Sequence, residues 1–564
     1  MNMDEQPNLR EFLNEVSSFS EEQTPAATVK AKAQPLAAIG DVIEIAGSGS
    51  QIRMNGPALT ALQTHNDPSV AMSGQVGSQV KMVQGNNWLI ANVRTLRAGD
   101  NGELIANVDF LGEGTKDSAG TLSSFRRGVT RYPIPGSEVY PVTTDDLRAV
   151  FAASDEPHVE VGTVYPTDDI RGALYVDPML SKHFAILGST GTGKSTSVAL
   201  ILHRISQLSP EGHIVMIDPH GEYSAAFKGC GELFNVDNLQ LPYWLMNFDE
   251  HCEVILTTHG AERQRDADIL AKCLLAARTK GKDMSQFGKV TVDSPIPYLL
   301  TDLHTIIVNE MGKLDRTGDT LPFQRLKTKI EELRADPRYT FMFSGMLVSD
   351  SMPGLLAKLF RLPSQGKPIS IVDVSGVPSE ITSVVVSVLA RMVFDYAIWS
   401  RTEAQKPLLL VCEEAHRYVP KDENAETGQA VRRILERIAK EGRKYGVSLG
   451  LITQRPSDLA EGVLSQCGTI ISMRLNNDRD QACVRAAMPE GARGFLDAIP
   501  ALRNRECIAC GEGVAIPIRV RFDDLEPEKR PASSDPSFSR LWRETGDEEG
   551  IINRTIKRWR GHGR

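Results

Sequence analysis

The sequence predicts an α/β protein, a doubly wound parallel sheet preceded by a smaller all-β domain, and three observations predict it. Six near-continuous apolar runs (HFAILG, HIVMIDPH, PISIVDVSG, PLLLVCEEAH, VSLGLITQ and GTIISMRL) alternate with helical stretches, as buried parallel strands do. A glycine-rich turn, GSTGTGKS, directly follows the first run and opens an amphipathic helical pattern, STSVALILHRI. Before residue 156 the texture differs: short alternating segments such as GSQVKMVQGNNWLIANVRTLRA are cut by Gly, Asn and Asp, the mark of a small barrel or sandwich.

In chain order, residues 1–35 are rich in Glu, Gln, Ser, Pro and Ala and read as a mobile arm. Within it only NLREFLNEV places apolar residues on one helical face, Leu9, Phe12, Leu13 and Val16, enough for one docking helix. The arm has neither the basic start nor the apolar stretch of a secretory signal. Residues 36–155 form the β domain, and 156–524 the sheet domain, interrupted by a helical insertion over about 245–345. The apolar segment 381–399 carries Arg391 and Asp395 near its centre, which is costly in lipid, so it is expected to be a buried helix. Residues 525–564 form a linker, EPEKRPASSDPSFS, and a tail, RTIKRWRGHGR, whose five Lys and Arg surround Trp559. Nucleic-acid binding, contact with a neighbouring subunit's nucleotide and simple solubilisation all fit that tail.

A chain of 564 residues exceeds one ordinary domain. Its net charge of −9 argues against a general basic coat for nucleic acid, while leaving room for basic groups gathered in a central channel. The eight cysteines are mostly scattered, as buried thiols of a cytosolic protein are. Cys507 and Cys510 make one CxxC, but a structural zinc site needs four ligands, so a strand that carries two cysteines is the simpler reading.

The turn Gly188-Ser189-Thr190-Gly191-Thr192-Gly193-Lys194-Ser195, with Thr196 beyond it, fits the phosphate-binding pattern GxxxxGK[ST] in its proper setting between a strand and a helix. Glycines let backbone N–H groups wrap a phosphate at a helix N-terminus, where the dipole favours anions. Lys194 is assigned to the β- and γ-phosphates of ATP and Ser195 to Mg2+. Hydrolysis further requires a carboxylate for the metal and a group that activates water. The strand Leu408–Cys412 delivers Glu413 and Glu414 to the carboxyl edge of the sheet, where ligands of parallel sheets bind. Glu413 is assigned to the metal's water shell and Glu414 to the attacking water. Aspartate is usual at the first of these positions, and the extra methylene of Glu413 puts the metal geometry in question. Two more strand ends aim at the same edge: Asp218, His220 and Glu222 in one, Thr453, Gln454 and Arg455 in the other. Gln454 is positioned to sense the γ-phosphate or to hold water.

In order, GSTGTGKS, IDPHGEY, VCEEAH, EGRKYG, TQRPSDL and RLNNDRD resemble the HerA family of motor ATPases, relatives of the FtsK DNA pumps. The resemblance spans roughly 36–525. It implies a RecA-like P-loop NTPase sheet, an N-terminal barrel similar to that of ATP synthase subunits, and a homohexameric ring with nucleotide between subunits. It also implies double-stranded DNA in the ring's centre; no membrane partner is expected, on the separate ground that 381–399 reads as a buried helix. By the same resemblance Arg443 is the arginine that one subunit inserts into its neighbour's site, with Lys444 beside it and Arg474 as a competitor. The cluster Arg432, Arg433, Arg437, Lys440 and Arg443 fits equally a solvated helix face paired with Glu436 and Glu441, or a DNA-phosphate contact. Family motors work with a NurA-type nuclease, or, in anti-phage defence, with nuclease or sirtuin-like effectors. Two functions are therefore expected: an ATP-driven DNA translocase with a partner enzyme, or a nucleotide-gated ring scaffold that regulates an effector without translocating DNA.

Overall fold

The computed structural model describes residues 36–99, 102–117, 120–282, 288–313, 318–344, 349–422, 428–488, 492–532, 537–544, 546 and 548–561. The arm expected at 1–35, part of the linker and the last three residues of the tail lie outside them.

The front domain is built from β1 (Gly40–Ile45), β2 (Gly49–Met54), β3 (Gln79–Gln84), β4 (Asn87–Ala98), β5 (Leu104–Lys116), β6 (Leu122–Arg127) and β7 (Glu138–Pro141). Their order is β2-β1-β7-β3-β4-β5-β6, and a further β2–β5 pairing closes six of them into an antiparallel barrel with β6 appended to β5. Closure removes the free edges that an open sheet exposes. Strand alternation explains how the barrel serves two cores: Leu89, Ala91 and Val93 of β4 fill its interior, while Trp88 and Ile90 point outward into the core shared with the next domain. A buried ion pair, Lys81 Nζ to Asp146 Oδ2 at 2.6 Å, ties β3 to the helix Thr144–Phe151. Asp146 also closes that helix's capping box with Thr143.

The second sheet contains β8 (His158–Val164), β9 (Arg171–Tyr175), β10 (Phe184–Leu187), β11 (Ile214–Asp218), β12 (Gly231–Phe234), β13 (Ile369–Asp373), β14 (Leu408–Cys412), β15 (Val447–Thr453), β16 (Thr469–Ser472), β17 (Glu506–Gly511) and β18 (Ile518–Phe522). The order is β12-β13-β11-β14-β15-β10-β16-β17-β18-β8-β9. The six apolar runs are β10, β11, β13, β14, β15 and β16, all mutually parallel where they pair. The short β12 extends the parallel edge, and β17, β18, β8 and β9 continue the sheet antiparallel. Cys507 and Cys510 are buried within β17.

Between β12 and β13 lie the helices Phe248–Ile255, Gly260–Thr279, Leu300–Gly312 and Leu321–Ala335. The apolar segment 381–399 is within the helix Ser379–Trp399, which packs in the protein core. Its Arg391 reaches Glu250 Oε2 at 2.8 Å, and Ser387 donates to Glu250 Oε1 at 2.8 Å, so its central charge is matched inside the protein.

Candidate active site

The phosphate loop connects β10 to the helix Lys194–Leu208. Gly191 and Gly193 take positive φ, 80° and 91°, values that residues with a Cβ rarely adopt. Gly188 is required for another reason: a Cβ there would lie 2.9 Å from Met473 Cβ. The turn lines a cavity of about 430 Å³ together with Lys194, Ser195, Thr196, Glu413, Glu414 and Gln454. All of them stand at the carboxyl edge of the parallel strands, because β10, β14 and β15 end there in register.

Inside the cavity the charges are closely coupled. Lys194 Nζ lies 2.7 Å from Glu413 Oε1 and 3.7 Å from Glu414 Oε1. Burial pulls the Lys194 pKa down, but the two carboxylates outweigh it and the net shift is upward, so the ammonium stays charged. Burial pushes the Glu413 carboxyl up, with Lys194 opposing. Tyr223, fully buried, donates its hydroxyl to Glu413 Oε2 at 3.0 Å. Ser195 Oγ donates to Glu222 Oε2 at 3.2 Å, and the Thr190 hydroxyl donates to Gln454 Oε1.

Glu414 adopts a left-handed backbone, φ 52° and ψ 45°, and among the described residues its buried Oε2 accepts no hydrogen bond. His416 Nδ1 stands 3.2 Å from that oxygen and 2.9 Å from Thr453 Oγ1. Burial lowers the His416 pKa, which keeps the ring neutral near pH 7. Asp218, at the end of β11, serves the backbone: its carboxylate accepts from the N–H groups of His220, Gly221 and Tyr223 at 2.9–3.1 Å and shapes the turn that carries Glu222 and Tyr223.

The structure brings Lys194, Ser195, Glu413, Glu414 and Gln454 together and leaves Arg443 apart. Arg443 lies in the turn Gly442–Tyr445 that enters β15, at the amino edge of the sheet. Crossing seven strand residues from there to Thr453 is roughly 20 Å. Its guanidinium is exposed and makes no ion pair among the described residues, and it borders a larger cavity of about 620 Å³ with no phosphate loop. The rest of the cluster is otherwise engaged: Arg432 with Glu436 at 2.9 Å, Arg433 with Asp249 at 2.6 Å, Arg437 with Glu441 at 3.5 Å. Arg432 is buried, which corrects the view of this face as uniformly solvated. Arg474 belongs to its own chain's phosphate loop: its carbonyl accepts from Ser189 N–H at 2.9 Å and its guanidinium donates to Asn504 Oδ1 at 3.1 Å.

Four neighbours of the site have no role assigned from the sequence. Tyr223, the last residue of IDPHGEY, is one. Asp373 ends β13 beside Gly221, where an added Cβ would meet Asp373 Oδ2 at 3.1 Å; its strand-end position was the available signal. Arg505, with φ 64°, donates its backbone N–H to Thr192 O at 2.9 Å and packs on Gly193. Pro531 borders the cavity, and the next residue, Ala532, donates its N–H to Glu222 O at 2.8 Å, so the start of the linker is anchored at the site.

A phosphate loop, a lysine held between two carboxylates and a strand-end glutamine at one sheet edge make this protein a P-loop ATPase. The model of the family described as "Helicase HerA, central domain" matches residues 159–393. The chain is 25% identical over 526 residues to the DNA double-strand break repair helicase HerA of Pyrococcus furiosus, covering 85% of this chain and 89% of that one. It is also 25% identical over 440 residues to the HerA of Sulfolobus acidocaldarius, covering 76% and 80%. Among solved structures, VirB4 of Thermoanaerobacter pseudethanolicus aligns with a TM-score of 0.48 and 15% identity, over 67% of this chain and 99% of that one. The chain is thus similar to HerA helicases over most of its length.

Proposed function

We propose that the chain is the motor subunit of a ring that hydrolyses ATP to move double-stranded DNA in the cytosol. The observation that carries this reading is the separation of Arg443 from its own phosphate loop across the sheet, which leaves an exposed guanidinium, without an ion pair among the described residues, to serve a neighbouring copy. The relatives named as DNA repair helicases support DNA as the cargo.

The residues present fit Mg2+. Ser195 offers a hydroxyl and Glu413 a carboxylate, both oxygen donors lining the phosphate-loop cavity. A magnesium ion suits such a place, since it commonly takes one or two protein ligands and keeps phosphate and water for the rest. Ser195 and Glu413 are the residues that would hold it, and it would supply charge neutralisation to the phosphates. Lys194 exchanges Glu413 for the β- and γ-phosphates. Glu414, with an unsatisfied buried oxygen, takes the proton of the attacking water, and Gln454 orients that water from the tip of β15. Arg443 of an adjacent copy neutralises the developing charge on the transferred group.

The partner is proposed to be a nuclease or other effector enzyme, as for DNA-end processing or anti-phage defence. The test is ATPase rate with and without duplex DNA, coupled to displacement of a protein roadblock from that DNA. Stimulation together with displacement is expected. ATP turnover with neither would replace the motor by a nucleotide-gated scaffold.

A further inference from the structure

Glu413 stands where shorter Asp is the usual residue, and its additional side-chain torsion would let the carboxylate swing. The structure contains a restraint on that torsion. We infer that Tyr223 is a positioning residue whose hydroxyl fixes Glu413 Oε2, allowing a glutamate to serve on the metal side of this ATPase site. The inference rests on the reading of Glu413 as the carboxylate facing Mg2+.

Tyr223 is itself held at three points. Its backbone N–H donates to Asp218 Oδ2 at 2.9 Å, at the end of β11. Its ring stacks on Phe227 with centroids 6.3 Å apart and planes 12° apart, and is fully buried. Its hydroxyl donates to Glu413 Oε2 at 3.0 Å. Because β11 and β14 are adjacent parallel strands, the Tyr223 turn and Glu413 leave neighbouring strand ends, and a phenol spans the gap. The other oxygen, Oε1, is held by Lys194 at 2.7 Å. Lys194 is the group that must turn to the phosphates when nucleotide arrives. Once it does, the Tyr223 hydrogen bond is the side-chain contact that continues to orient the carboxylate, with Oε1 left open towards the metal's water. Hydrogen bonds to a carboxylate from outside the metal's own ligands commonly set metal affinity in this way.

The experiment measures binding of a fluorescent ATP analogue to the full chain in EDTA and over a Mg2+ titration, with kcat recorded alongside. Tyr223→Phe keeps the ring and removes the hydroxyl. Affinity in EDTA should stay within about twofold, while the tightening produced by Mg2+ falls about tenfold, the size typical of losing such a support. Phe227→Leu loosens the stack but keeps the hydroxyl, and should cost less of the Mg2+ effect than Tyr223→Phe does. Glu413→Asp supplies a second route, since a carboxylate one methylene shorter does not reach the hydroxyl. In that background, adding Tyr223→Phe should change the Mg2+ effect by less than twofold. A wild-type Mg2+ effect in Tyr223→Phe, or an equal further loss in the Glu413→Asp background, overturns the inference. Wild-type protein with no Mg2+ effect at all would instead remove the metal reading of Glu413, and this inference with it.

Discussion

Glu414 combines a left-handed backbone, nearly complete burial and a carboxylate oxygen that has no hydrogen bond among the described residues. Each feature costs free energy; a non-glycine residue in that conformation costs on the order of 1–3 kcal/mol. A surface turn would relax all three, whereas a base waiting for a water molecule needs them. Glu414→Gln, which cannot take the proton, should slow turnover about 100- to 10,000-fold and retain ATP on the protein, measured as bound nucleotide recovered after gel filtration. Lys194→Ala should lower turnover about 100- to 1,000-fold in a steady-state ATPase assay, as loss of a transition-state cation does. Its fold should survive, because Glu413, already pushed upward by burial, can take a proton when its partner is gone. The residues of the phosphate loop were legible in the sequence because their chemistry is local: glycines, Lys194 and Ser195 are contiguous. Tyr223 and Glu413 are 190 positions apart, and their contact depends on which strands are adjacent. Arg505 was hidden for the same reason, since an antiparallel strand beyond the parallel set brings it to Gly193.

At the level of elements, the parallel strands were readable because both sheet faces are covered, which makes each strand apolar at nearly every position. Leu408–Cys412 is buried at all five positions, and Val447–Thr453 at all seven. The four-residue edge strand β12 has two buried positions, too little for a periodic signal. The strands β18, β8 and β9 alternate buried and partly exposed residues and resemble the barrel strands in texture, so the chain pattern does not announce that they join the second sheet. The helix Ser379–Trp399 shows how an apolar segment accommodates charge: Arg391 makes hydrogen bonds to both Glu250 oxygens and to Leu245 O, at 2.6–3.3 Å. Glu250 also closes the capping box of the helix Phe248–Ile255 with Asn247. Glu250→Ala strands the Arg391 charge and removes the cap, and should lower stability by about 3–5 kcal/mol in urea denaturation. Lysine in place of Arg391 should recover only part of that contact in the intact chain, because it lacks the planar fork that engages both oxygens.

Across the whole molecule, the decisive feature is the distance between two edges of one sheet. The nucleotide cavity opens at the carboxyl edge, and Arg443 waits at the amino edge, exposed and without an ion pair among the described residues. No motion inside a packed sheet carries a guanidinium roughly 20 Å through it, so the arginine must serve a different copy if it serves catalysis. Arg443→Ala alone should therefore bind ATP with near wild-type affinity and lose most hydrolysis. The most direct measurement is complementation: ATPase activity of Arg443→Ala subunits mixed with Lys194→Ala subunits, each inactive by itself. Shared sites predict that mixing restores a fraction of wild-type turnover, because some interfaces pair an intact phosphate loop with an intact Arg443. Mixed preparations that exchange subunits yet stay as inactive as either parent would contradict a site completed by the neighbour.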